Sequence, residues 1–270
     1  MNDDEWTKVL FDWADLNELP ELEWFQEDED FPEYGFWHGF PRCKKDLMSM
    51  TELNLGWHDL TDLPDELGNL KKLCKLSFNK CPDGWQVRPK PKTDNRLPCI
   101  PQWVYYLPNL TSLDFSGNAI TKVSNEIGRL SELEALWLDA NEINVIPDSI
   151  GQCLKLNELG LRNNRIDIIP ESLFECKKLE SLLLEANKIE SIPKGLSQLK
   201  NLSVLELARN KFASYPEDIN LLENLTYLTL LGNKFTDLPT GPLHLKHIEV
   251  FDMLNFKYSE ARCFGRSVLH

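Results

Sequence analysis

The feature that most constrains this sequence is a motif that returns every 23 residues. Its form is L-x-x-L-x-L-x-x-N, then an aliphatic residue, an aliphatic-proline pair and two further apolar positions, and the most regular copy runs from Leu179 to Leu199. Self-similarity at a fixed period of about 20–50 residues indicates a repeat architecture in which each copy is one structural unit. Regular copies begin at Leu110, Leu133, Leu156, Leu179, Leu202 and Leu225, less regular ones at Met50 and Leu73, and a degenerate one at Ile248.

The pattern within one copy predicts the shape of the stack. The L-x-L alternation predicts a short strand with leucines inward and the intervening residues outward. A single copy is too small to bury its apolar side, so copies must stack and their strands form a parallel sheet. The proline-containing half returns as helical turns or irregular chain and is wider than the strand. We therefore expect an α/β solenoid, a curved horseshoe with the parallel sheet on its concave face.

The asparagine of each copy is predicted to be structural. A buried amide needs partners for both its oxygen and its nitrogen, and a column of asparagines at one repeat position can bond to the backbone of neighbouring turns. His58 and Cys81 stand at this position when the first two copies are counted forward from their first residue. The column comprises Asn118, Asn141, Asn164, Asn187, Asn210 and Asn233.

These motifs resemble the leucine-rich repeat family, in its 23-residue class found in Ras-group, Scribble-type and bacterial proteins. The segment GFPRCKKDLMSMTELNL, from Gly39 to Leu55, resembles the lead-in of bacterial members. The resemblance covers about residues 39–256 and implies a curved scaffold whose inner face engages a protein. Bacterial relatives that act as ubiquitin ligases carry a separate catalytic domain after the repeats. About a dozen residues follow the repeats here, so the resemblance does not imply that activity.

Three regions are expected along the chain. Residues 1–49 form an acidic, aromatic N-terminal cap with an amphipathic helix over 3–19, residues 50–258 form a solenoid of about nine strands, and residues 259–270 form a C-terminal cap. The interval from Leu73 to Leu110 is 37 residues rather than 23. The 14 extra residues are placed near 83–96, as a loop that binds the partner, leans on the acidic cap or is simply solvated.

The charge distribution narrows the class of partner. The net charge is −14, and residues 1–33 contribute −12 of it, with 13 acidic residues against Lys8. Nucleic acids and anionic membranes need a basic surface, so neither is expected as a partner. The acidic N-terminus does not resemble a signal peptide, which predicts a cytoplasmic protein. Secretion by a non-classical bacterial system is the alternative.

Cysteine usage is typical of a reduced chain. There are seven cysteines, without the spacing of a disulfide framework. Cys153 and Cys176 fall at a leucine position and are predicted to act as small buried hydrophobes. A bridge between Cys81 and Cys99 is a less favoured alternative.

Function is expected at the outward strand positions, numbered three, five and seven from the first leucine of each copy. Trp137 is expected to be an interface anchor with a charged rim of Asp114, Asp139, Glu158 and Arg162. A second candidate is an apolar cluster, which is an interface unless the C-terminal cap covers it or its members are scattered. It consists of Leu183, Val204, Tyr227, Leu231, Val250 and Leu254. The insertion adds Trp85 and Arg88.

No catalytic, cofactor or metal site is predicted. His244, His247 and Cys263 supply too few ligands for a zinc site, and no phosphate-binding glycine loop is present. The sequence therefore favours a non-catalytic scaffold that binds a protein on its concave face, as a monomer rather than a homo-oligomer. The alternatives are a secreted bacterial effector that binds a host protein, and an enzyme with an unrecognised site.

Overall fold

The structure is a computed structural model that describes residues 5–26, 35–56, 58–79, 95–235 and 250–252. It divides into two compact units, Met1–Ile120 and Thr121–His270. The side chains of 23–26, 35–38 and 250–252 are not described.

The first unit begins with an amphipathic helix, α1 (Glu5–Leu16), as predicted. Its buried side carries Trp6, Thr7, Leu10 and Ala14. The helix ends where Glu18 takes a left-handed backbone conformation (φ 51°) and the Leu19 N–H donates to the Ala14 carbonyl at 2.9 Å. This is a common way of pairing the last carbonyls of a helix.

An antiparallel hairpin and a short helix follow α1. The hairpin joins β1 (Glu23–Gln26) to β2 (Gly35–His38), and α2 spans Lys44–Ser49. Phe40 is fully buried and packs edge-on against Trp13, with ring centroids 5.9 Å apart. The aromatic residues of this region therefore contribute to a packed N-terminal structure.

The repeats of the first unit form three parallel strands, β3 (Glu52–Asn54), β4 (Lys75–Ser77) and β5 (Ser112–Asp114). The inward leucines Leu53, Leu76 and Leu113 lie in register and are buried. The return segments contain 3-10 helices at Asp65–Asn69 and Gln102–Tyr106, each directly after a proline. Proline suits this place because the first N–H groups of a helix have no partner within it.

The asparagine position of the second repeat is filled by Asn95, so the interpretation that gave it to Cys81 is wrong. Asn95 is 1% exposed; its Oδ1 accepts from the Leu60 N–H at 2.9 Å and its Nδ2 donates to the Leu55 carbonyl at 2.8 Å. Asn118 makes the corresponding bonds one turn later, to Leu97 N and Phe78 O. The extra residues thus lie before Asn95, and Asn95 and Arg96 belong to the repeat rather than to the insertion.

The described residues of the second unit form six parallel strands in chain order. They are β6 (Ala135–Trp137), β7 (Glu158–Gly160), β8 (Ser181–Leu183), β9 (Val204–Glu206), β10 (Tyr227–Thr229) and β11 (Val250–Asp252). The return segments form 3-10 helices at Asn125–Arg129, Asp148–Gln152, Glu171–Glu175, Leu196–Gln198 and Glu217–Leu221. The predicted leucine-rich-repeat solenoid is confirmed in each unit.

A ladder of asparagine side chains runs through the interior of the second unit. The Oδ1 of Asn164 accepts from the Ile143 N–H at 3.0 Å, and its Nδ2 donates to the carbonyls of Leu138 at 2.9 Å and Leu161 at 3.2 Å. One side chain thus ties its own turn to the preceding turn. The predicted ladder is confirmed, with equivalent bonds to the preceding turn made by Asn187, Asn210 and Asn233.

The residue before each ladder asparagine has a left-handed backbone. Gly232 (φ 74°) meets this requirement without a side chain, but Ala140, Asn163, Ala186 and Arg209 adopt φ values of 52–57°. A left-handed conformation costs an L-residue about 1–2 kcal/mol. The repeat tolerates this cost because the turn directs the next side chain, the asparagine amide, into the interior.

Removing one rung of the ladder is expected to destabilise the fold. Asn164→Ala leaves the buried Ile143 N–H and Leu138 carbonyl without their partner, and each such group costs about 1–3 kcal/mol. We expect a loss of about 2–5 kcal/mol in urea denaturation followed by circular dichroism. Asn201→Ala is the control, because it removes an exposed amide-to-carbonyl bond to Lys177. Equal effects of the two substitutions would contradict the ladder's role.

Burial of two cysteines predicts a pattern of thiol reactivity. Cys153 and Cys176 are fully buried, as expected, and burial raises the pKa of the first to about 11 and of the second to about 12. Because the thiolate is the reactive form, both should resist iodoacetamide at pH 8 in the folded protein, while exposed Cys43 and Cys99 react. Peptide mass spectrometry before and after unfolding in urea measures this. Rapid labelling of Cys153 in the folded chain would contradict the packing.

Candidate partner-binding face

The outward side of strands β6–β10 is called here the sheet face. Backbone register places its residues in rows that cross the strands. The position-three row contains Ala135, Glu158, Ser181, Val204 and Tyr227, and the position-five row contains Trp137, Gly160, Leu183, Glu206 and Thr229. The position-seven residues, which follow the strands, are Asp139, Arg162, Glu185, Ala208 and Leu231.

Trp137 leans over a glycine on the neighbouring strand. A Cβ atom built on Gly160 would lie 2.9 Å from Trp137 Cδ1 and 3.1 Å from an Asp139 carboxylate oxygen. The indole and the carboxylate therefore occupy the volume that the side chain of any other residue at position 160 would need. Trp137 is half-buried, and the rest of its ring faces solvent. This contact gives the predicted anchor a defined position on the sheet.

Arg162 is held by two carboxylates. Its Nε and Nη2 donate to the two oxygens of Glu206 at 2.6 and 2.8 Å, across the intervening strand β8. The Asp139 carboxylate lies 3.6 Å from Nη1 and accepts the Arg162 backbone N–H at 2.5 Å. The pKa of Arg162 is raised, mainly by this hydrogen bond to Glu206. Bidentate pairing of this kind fixes orientation as well as charge.

Asp114, expected beside Trp137, belongs to the first unit. Its carboxylate accepts from the Ser116 N–H at 2.8 Å and from Asn79 Nδ2 at 3.0 Å. Burial raises the pKa of this carboxyl, and the bonds from Ser116 and Asn79 oppose that rise. Its observed contacts are with its own turn and the preceding repeat, which is a structural role. Its place in the charged rim of Trp137 stays a prediction.

The apolar cluster is divided among three rows. Val204 and Tyr227 are direct neighbours in the position-three row, and the backbone of Val250 pairs with Tyr227 on the other side. Leu183 lies instead in the position-five row, between Gly160 and Glu206, and Leu231 lies in the position-seven row. All four described side chains are half-buried. Among the described side chains of the set, Val204 and Tyr227 are direct neighbours in one row, while Leu183 and Leu231 lie in other rows.

Several predicted residues lie outside the described part of the chain. Cys81 is one of them, and Cys99, considered as its bridging partner, carries a free thiol. The others are Trp85 and Arg88 of the insertion, Leu254 of the apolar cluster, and His244, His247 and Cys263. Their proposed roles stay predictions.

Two residues of the face were missed in the sequence. Gly160 reads as a neutral position until it is aligned with Trp137 one repeat earlier. Glu206 stands 44 residues after Arg162, two fewer than two full repeats, so only the stacking of strands brings the two together. Comparing residues one repeat apart would have suggested the contact of Trp137 with Gly160. Comparing residues two repeats apart, with an offset of two positions, would have suggested the pair of Arg162 and Glu206.

A groove of about 590 Å³ lies in the first unit, lined in part by Glu21, Arg42, Cys43, Asp46 and Glu52. Some of its polar groups are engaged with one another or with neighbouring turns, while Arg42 Nη1 is buried without a hydrogen-bond partner in the described part of the chain. Arg42 donates to the Leu19 carbonyl at 2.6 Å, and the Cys43 thiol donates to the Asp46 carboxylate at 3.0 Å. Among the described residues, no group of three or more His, Cys, Asp or Glu side chains could hold a metal ion. Within the same ranges, no helix is long and apolar enough to cross a bilayer.

The close approach of Trp137 to Gly160 predicts the effect of adding one methyl group. Gly160→Ala should displace the indole, while stability changes by less than about 1 kcal/mol because the backbone entropy gained over glycine offsets the contact. In the protein labelled with fluorotryptophan, the fluorine resonance that disappears in Trp137→Phe should move in Gly160→Ala. Ser181→Ala, at another small outward position, should leave it unchanged. An unmoved resonance in Gly160→Ala would contradict the packing.

Comparison with known proteins agrees with this architecture. A family described as leucine rich repeat matches residues 131–189, 154–212 and 177–235, and a second leucine-rich-repeat description matches residues 109–130. A search of curated proteins found no match.

Solved structures with the same fold come from bacteria and plants. A leucine-rich repeat protein of Leptospira interrogans is 29% identical with a TM-score of 0.50, over 72% of this chain and 58% of that protein. An internalin of Listeria monocytogenes is 22% identical with a TM-score of 0.62, over 78% and 63%. The ectodomain of the Arabidopsis thaliana receptor kinase GASSHO1/SCHENGEN3 is 26% identical with a TM-score of 0.52, over 70% and 24%. The chain thus spans less than two thirds of each of these proteins. The stacked strands, the asparagine ladder and these matches together show that the chain belongs to the leucine-rich repeat proteins.

Proposed function

We propose that this chain is a non-catalytic protein-interaction scaffold whose partner binds the sheet face of β6–β10. Leucine-rich repeats commonly serve as scaffolds of this kind, and the family is typically non-enzymatic. The observation that carries the proposal is Trp137, an outward tryptophan held at a fixed place over Gly160 with part of its ring in solvent. Tryptophan is among the residues most enriched at the energetic centres of interfaces.

Rigidity supports the proposal. The strands are fixed in register, and the Arg162–Glu206 pair spans three of them. Association loses free energy when loops and side chains become ordered at the interface. A face whose backbone and Arg162–Glu206 pair are already fixed avoids much of that loss on its own side. Binding then depends on which residues the repeats present.

A relative supports a protein partner in particular. The Arabidopsis receptor ectodomain was solved in complex with Casparian strip integrity factor 2. This chain covers 24% of that ectodomain, so the likeness supports a protein or peptide partner in general and not the identity of the partner.

Affinity capture from the source cells tests the proposal. Trp137→Ala and Tyr227→Ala should each weaken recovery of a captured protein about tenfold or more, because truncating an interface anchor typically costs about 2 kcal/mol or more. Quantitative mass spectrometry measures the recovery. Ile168→Ala is the matched control, since Ile168 is 69% exposed and lies outside the sheet face. Unchanged recovery with both face variants would reject this face as the binding site.

A further inference from the structure

The charges of the sheet face are not balanced. Among its 15 residues, the positions carrying negative charge are Asp139, Glu158, Glu185 and Glu206, and the one carrying positive charge is Arg162. Arg162 is already neutralised by Glu206 and Asp139. Arg209, at the border of the face, lies 3.5 Å from the Glu185 carboxylate. Arg162 on the face and Arg209 at its border are therefore both paired with carboxylates of this chain.

Glu158 differs from the other carboxylates of the face. It is exposed and makes no ion pair with another described residue. Its neighbours in the position-three row are Ala135 and Ser181, both small, so no bulky side chain crowds it along that row. Along its own strand, two residues on, is Gly160, over which Trp137 leans. An open carboxylate and a partly exposed indole thus occupy adjacent rows of the same part of the sheet.

Resting on the proposed function, we propose that the region around Trp137 and Glu158 receives a lysine or arginine side chain from a basic segment of the partner. A cation close to an indole face is attracted by the π system, and the carboxylate adds charge complementarity. Glu158 makes no ion pair with the described residues of the free protein, so no such pair has to be broken before its carboxylate attracts the incoming cation. Tyr227 and Val204, farther along the sheet, would then meet an apolar part of the same segment.

A random peptide library displayed on phage and selected against the full-length protein tests this inference. Peptides that lose binding to Trp137→Ala report on the sheet face, and these should be enriched in lysine and arginine. Fluorescence anisotropy on the selected peptides then measures affinity. We expect about a two- to fivefold loss with Glu158→Gln, the range of an exposed ion pair, and weaker binding as NaCl rises, because salt screens exposed charges. Glu171→Gln, the same change on the 3-10 helical side, should have no effect.

A charge exchange makes the test specific. Glu158→Lys should weaken the selected peptides further, and replacing the critical basic residue of the peptide by glutamate should restore part of the affinity to that variant. Because Glu158 is exposed and unpaired, neither Glu158→Gln nor Glu158→Lys should change the midpoint of thermal unfolding of the protein. Face-binding peptides that lack basic residues, or that ignore Glu158→Gln, would overturn this inference and leave the proposed function intact. Selection of no peptide that depends on Trp137 would count against both.

Discussion

The structure depends on hydrogen bonds between buried asparagine amides and the backbone of adjacent turns. A 23-residue turn contains only three residues of regular strand, so most of its buried N–H and carbonyl groups need partners elsewhere. Asn187 accepts from the Ile166 N–H and donates to the Leu161 carbonyl, two backbone groups that lie outside the three-residue strands. Leucine burial supplies the favourable free energy of stacking. Because the hydrophobic effect is not directional, burial alone does not determine the register between neighbouring turns. The asparagine amides determine the register, since each can form its hydrogen bonds only when the backbone of the adjacent turn is correctly aligned.

Because the asparagine ladder and the inward leucines determine the stacking, the residues that stabilise the fold differ from those that are free to form a binding surface. The inward positions and the asparagines determine how the turns stack, and the outward positions of each strand can vary without disturbing them. On the sheet face that freedom is used for a small set of coordinated contacts. Trp137 and Asp139 share the space above Gly160, and Arg162 reaches across β8 to Glu206. Such contacts hold side chains that would otherwise be flexible, so the surface that we propose as the binding face is already arranged before a partner binds.

The sequence predicts the repeating parts of this fold and not the contacts between copies. The period of Leu110 to Leu225 predicts the strands, their parallel order and the ladder, because each follows from one copy and its repetition. Counting forward from Leu73 misassigned the second asparagine, since an insertion breaks the count. Counting back from the Ile100-Pro101 pair gives Asn95, which the hydrogen bonds to Leu60 and Leu55 support. Gly160 and Glu206 could not be identified from single copies, because their roles arise from neighbours one and two turns away.

Amide hydrogen exchange at the ladder-bonded positions tests the central claim most directly. The N–H groups of Ile143, Ile166, Ile189 and Phe212 lie outside the strands and bond to asparagine side chains of the next turn. If the ladder holds the turns together, these four amides exchange as slowly as the strand amides of the inward leucines. Exchange at the rate of exposed loop amides would show that the asparagines do not determine how the turns are joined.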